Sequence, residues 1–112
     1  MKLLTKAIQK LLQREYEKPE DQKTNMAYAK FFNPTGAGTW YLMEQDPYTG
    51  KIFGYAHITE WEYGWFDFEE MAQYKGHFGL GIERDLWFEP TPIEDIKKAI
   101  NEEQQYKGGR LN

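Results

Sequence analysis

Leu4, Ala7, Ile8, Leu11 and Leu12 recur at spacings of three and four near the start of the chain, with Lys6, Gln9 and Lys10 between them. That period gathers the apolar residues on one stripe of a helix, and Thr5 stands where a capping hydroxyl belongs. At 100° per residue Glu15 falls inside the same stripe, so the last turn before Pro19 is expected to fray or reach into water. Residues 17–25 are polar throughout and read as a loop.

From residue 26 to residue 68 the period shortens to two and is broken by turn residues. Strands are predicted over residues 27–32, 39–45, 51–58 and 62–66. Asn33-Pro34-Thr35-Gly36-Ala37-Gly38 and Asp46-Pro47-Tyr48-Thr49-Gly50 supply the first two reversals. Connections this short join antiparallel neighbours, because a parallel crossover takes about a dozen residues. Asp67 and Glu70 form a capping box ahead of Phe68, Met71 and Tyr74, which predicts a short helix stopped by Gly76. A fifth strand is expected over residues 82–88. Thr91 as N-cap, Pro92 in the first turn and Glu94 as the capping acid then open a helix carrying Ile93, Ile96, Ala99 and Ile100. The order α-β-β-β-β-α-β-α specifies one α+β domain over residues 1–107, with three helices and a largely antiparallel sheet of about five strands, and a flexible tail over residues 108–112. Trp40, Phe53 and Trp65 are expected in its core.

Composition narrows the function classes. A chain of 112 residues is one domain, and 17% aromatic residues can fill its core without metal or disulfide support. With no cysteine there is no disulfide framework, no thiolate zinc site and no thiol nucleophile. Lys6, Gln9 and Lys10 interrupt the first apolar stretch before it makes a signal sequence, and no run approaches the roughly 20 apolar residues of a membrane span. A cytoplasmic protein with no membrane partner is expected. The net charge of −4 disfavours nucleic acid as a partner.

Three blocks carry a family resemblance: Leu3-Leu4-Thr5-Lys6; Lys30-Phe31-Phe32-Asn33-Pro34 leading to Thr39-Trp40-Tyr41; and Gly79-Leu80-Gly81-Ile82-Glu83-Arg84-Asp85-Leu86-Trp87-Phe88-Glu89-Pro90. With Phe53-Gly54 between them, residues 3–90 resemble a bacterial family of small domains of unknown function carried mostly by phages, plasmids and conjugative elements. The resemblance implies an origin on mobile DNA and an accessory role. It supplies no catalytic residues.

Several groups invite chemistry. Glu83 and Asp85 share one side of a predicted strand and Arg84 takes the other. The two carboxylates would serve a cation or acid/base work only if further ligands converged, whereas Arg84 suits a structural tie to a loop or helix end. Gly76-His77-Phe78-Gly79-Leu80-Gly81 follows a helix and precedes a strand, the reverse of a phosphate loop, so it reads as a turn. His57 and His77 have no metal-ligand spacing, although Glu60 and Glu62 lie near His57 in sequence. Lys6, Lys10 and Arg14 step round the first helix by about 40° each, a stripe suited to phosphates or to simple solvation. No metal or cofactor is expected.

Charge is segregated: residues 1–30 carry +3 and the remainder −7. Glu60, Glu62, Asp67, Glu69 and Glu70 occur without a base among them, interleaved with Trp61, Tyr63, Trp65, Phe66 and Phe68. Ring anchors inside an acidic rim suit a basic protein surface. Alternation equally allows the rings to enter the core while the acids meet water. The leading expectation is a non-enzymatic binding module, a monomer or weak dimer, that engages a host protein through these residues and interferes with a host defence protein. The alternatives are a small carboxylate- or metal-dependent enzyme using Glu83, Asp85 and a histidine, and a nucleic-acid accessory protein stacking bases on Trp40 or Tyr41.

Overall fold

The computed structural model describes residues 2–110. It is an α+β domain whose elements run α1 (Lys6–Glu17), β1 (Met26–Ala27), β2 (Ala29–Phe32), β3 (Thr39–Gln45), β4 (Ile52–His57), β5 (Trp61–Phe66), α2 (Phe68–Gln73), β6 (Glu83–Arg84), β7 (Thr91–Pro92) and α3 (Ile93–Arg110). Five strands form an antiparallel sheet in the order β5-β4-β3-β2-β6, and β1 pairs with β7 in a two-stranded sheet.

Helices cover both faces of the large sheet. Leu4, Leu12, Phe31, Trp40, Leu42, Ile52 and Met71 bury one core beneath α1 and α2, and Ala27, Met43, Ile93 and Ile96 bury a second beneath α3. Alternation along β3 makes this division, and a bulge between Leu42 and Glu44 shifts its parity. Before it the even residues Trp40 and Leu42 face α1; after it Gln45, opposite Ile52, takes that side, while Met43 joins the α3 core. Gln13 Nε2 donates to the buried Gln45 Oε1 at 3.2 Å, so α1 is also fastened to β3 by a partly buried polar contact.

Local chemistry accounts for most element ends. Thr5 Oγ1 accepts from Ile8 N at 3.1 Å and opens α1. Asp67 Oδ1 accepts from Glu69 N and Glu70 N and opens α2. The structure corrects several expectations. The end of α1 neither frays nor enters water: Glu15 is only 2% exposed, because Thr24 and Tyr28 supply partners for its carboxylate. The predicted first strand is split, with β1 leaving the large sheet to pair with β7.

The predicted strand at 82–88 pairs only at Glu83 and Arg84. Asp85 Oδ1 then accepts from Trp87 N at 2.9 Å, turning the chain and leaving Leu86 and Trp87 exposed. Thr91 and Pro92 form β7 rather than the start of a helix, and α3 begins at Ile93. Trp65 is 51% exposed, not a core residue, because β5 is an edge strand reached by little of α3; Trp40 is buried and Phe53 packs against the α3 core. α3 continues through Arg110, into the segment expected as a tail, and the last two tail residues, 111 and 112, lie outside the described residues.

Candidate functional site

Period-two alternation places the residues of β5 on two different surfaces. Register pairs Glu62 with Ala56 and Ala56 with Trp40, so Glu62 faces the α1 and α2 side. Trp61, Tyr63 and Trp65 take the other side, opposite His57, Tyr55 and Phe53. Trp61 is therefore separated from the acids with which the sequence associated it.

On the α2 side lies a groove of about 340 Å³. Trp40, Ile58, Phe66, Met71 and Tyr74 give it apolar walls, and Asp67 and Glu70 stand at its rim. Glu60, Glu62, Asp67, Glu69 and Glu70 are all exposed, and among the described residues none is in an ion pair. Helix α2 follows β5 after one residue, which keeps Glu69 and Glu70 beside the end of the edge strand. Unneutralised carboxylates around a hydrophobic hollow favour a cationic side chain with an apolar stem.

The opposite surface is a ladder of rings. Trp61 stacks on Tyr55 with centroids 5.1 Å apart and on Tyr41 at 5.9 Å, while Tyr63 lies parallel to Phe53 at 5.9 Å. Lys97 reaches from α3 over the rings of Tyr55 and Tyr63, with Nζ 5.6 Å and 5.2 Å from their centroids. Its hydrogen bond to the Tyr63 hydroxyl holds Lys97 above the usual lysine pKa. Tyr63 and Trp65 remain 42% and 51% exposed beyond this cover. Their solvent exposure was not legible from alternation alone, which shows the common face of the rings but not that β5 lies at an edge.

The remaining candidates are dispersed. Arg84 Nη1 donates to the carbonyl oxygens of Lys2 and Leu3, both at 2.9 Å, and ties the segment before α1 to the edge of the sheet. Asp85 is engaged in its own turn, and Glu83 lines a depression with Lys2, Leu3 and Lys75. Pairing runs from His57 through Thr39 and Phe32 to Glu83 in one row. Three strand spacings therefore separate His57 and Glu83 by about 14 Å. His77 sits beside Phe78 in the turn after α2. Among the described residues no three of His, Asp and Glu come together as a metal site.

Trp40 is buried and Tyr41 is packed between Trp61 and Phe88, so neither offers a free face for base stacking. Lys6, Lys10 and Arg14 are exposed on α1. Among the described residues no helix is long and apolar enough to cross a membrane.

The most perturbed group is Glu15, which the sequence pattern misassigned. Burial pushes its carboxyl up, but hydrogen bonds from the Thr24 hydroxyl and amide, the Tyr28 hydroxyl and Lys18 outweigh this and hold its pKa at about 2. It is a fully engaged acceptor that pins Thr24 and Tyr28, on either side of β1, against the last turn of α1.

Residues 3–103 match the model of a family described as protein of unknown function, DUF2958, and the chain belongs to that family. No curated protein and no solved structure matches it.

Proposed function

We propose that this member of the family is a non-enzymatic binding module whose partner is a host protein with a basic surface. Glu60, Glu62, Glu69 and Glu70 would attract that surface, and the groove between the β2–β3 turn and α2 would receive an apolar or long cationic side chain. The single observation that carries this reading is the set of five exposed carboxylates at residues 60–70, none in an ion pair among the described residues, two of which, Asp67 and Glu70, line a groove with apolar walls. Acids left unneutralised inside one protein are available to set association rate and partner choice in a complex. The motif resemblance adds a setting, an accessory protein of mobile DNA; the acidic surface suggests the target, a host defence protein occupied at a basic site normally used for nucleic acid.

The test is affinity capture from the host at low salt with the natural chain and with Glu60, Glu62 and Glu69 all changed to Lys. The expected result is one stoichiometric protein retained by the natural chain and recovered at least tenfold less by the folded variant. Equal recovery by the two chains, or no retained protein, overturns the reading. Turnover of a small molecule that Glu83→Ala or Asp85→Ala abolishes would assign an enzyme instead.

A further inference from the structure

The two edges of the large sheet are built differently. At one end β6 is only two residues long, and Arg84 within it is bonded to the backbone of Lys2 and Leu3. A short, occupied edge gives another chain little to pair with. At the other end β5 runs for six residues with no proline and no break in register. Among the described residues its backbone bonds only to β4, leaving alternate amides and carbonyls directed outward. Glu62 is its one charged residue. Strands of this length are normally covered or blunted at an edge, and this one is neither.

The two faces of β5 state what would fit beside it. A strand added to the edge places its alternate side chains on the two faces of the sheet. One set would lie beside Glu62 and toward Glu70 and the acidic groove. The other would lie beside Tyr63 and Trp65, whose exposed rings extend the apolar ladder past α3. We infer that β5 is a docking edge for an extended segment of the partner protein, in which basic residues alternate with apolar ones. This rests on the proposed function and names the recognition mode.

A second copy fits the edge less well. Antiparallel pairing of two β5 strands would bring two sets of Glu60, Glu62, Glu69 and Glu70 side by side with no base among them. Charge complementarity therefore selects a basic segment over the chain itself.

The probe is a seven-residue peptide of alternating arginine and valine, capped at both ends and titrated against the full chain by fluorescence anisotropy. Two further versions carry N-methyl groups, one on every arginine amide and one on every valine amide. Strand addition uses the amides of one set only, so one methylated peptide is expected to bind at least tenfold more weakly and the other to bind like the parent. A peptide alternating glutamate and valine is expected not to bind.

Gly64→Arg gives an independent check, because a Cβ at Gly64 meets no atom within 4 Å and the residue shares its face with Glu62. That variant is expected to keep its melting temperature and to bind the parent peptide at least fivefold more weakly. Equal binding by both methylated peptides overturns the edge proposal while leaving the acidic surface as a charge contact. No binding by any peptide also overturns it, and the capture experiment then decides the proposed function separately. Binding of the glutamate peptide overturns both. A solution dimer that Gly64→Arg dissociates assigns the edge to a second copy and overturns the inference.

Discussion

Glu15 shows what a single residue's position reveals and what it hides. Its place on the apolar stripe of α1 was legible, but its solvation was not, since Thr24 and Tyr28 arrive from the following segment. With its pKa lowered from 4.5 to about 2, the ionised carboxylate is the form favoured by folding. Its contribution is fully present above pH 4.5 and is lost as the pH falls through about 2, amounting to about 3 kcal/mol. Acid unfolding of the natural chain is therefore expected to steepen between those values, and Glu15→Gln to flatten the change while lowering the melting temperature at pH 7. Circular dichroism melts across that range check both expectations. Arg84 is a simpler case: Lys retains the charge but loses the geometry that holds both carbonyls. Arg84→Lys should cost about 1 kcal/mol by denaturant titration, and an unchanged midpoint would contradict the tie.

At the scale of elements, the period of two and the turn residues define β3 fully and β4 and β5 to within a residue or two. What alternation does not contain is a change of face. The bulge at Leu42 and Glu44 shifts the parity of β3, so that Gln45 rather than Glu44 joins the side of Trp40 and Leu42. Gly54 stands opposite Leu42, where an added Cβ would collide with the Tyr41 carbonyl oxygen. Gly54→Ala should therefore lower stability by about 2 kcal/mol or more by urea titration, because the obstruction is backbone and cannot rotate away. The early end of β6 was also hidden. Leu86, Trp87 and Phe88 have strand composition, but the Asp85 side chain captures Trp87 N and turns the chain first.

Across the whole molecule, charge segregation was legible in composition: the acids at residues 60–70 do lie on the surface. Their separation from Trp61 follows from strand alternation, whereas the groove needs α2, Trp40 and Tyr74 brought together by the fold. The edge status of β5 is a property of strand order, which short reversals do not specify. An association led by exposed carboxylates should weaken at least tenfold when salt rises from 0.05 M to 0.5 M, as the screening length shrinks to a few ångströms; surface plasmon resonance of the captured complex reads this directly.

The most direct measurement of the binding surface is amide hydrogen exchange along the chain, alone and in complex with the protein it retains at low salt. Slowed exchange is expected to concentrate in residues 60–70, led by the outward amides of Trp61–Phe66, with α1 unchanged. Unaltered exchange at residues 60–70, with protection instead along Lys6, Lys10 and Arg14 or around Leu86 and Trp87, would contradict it.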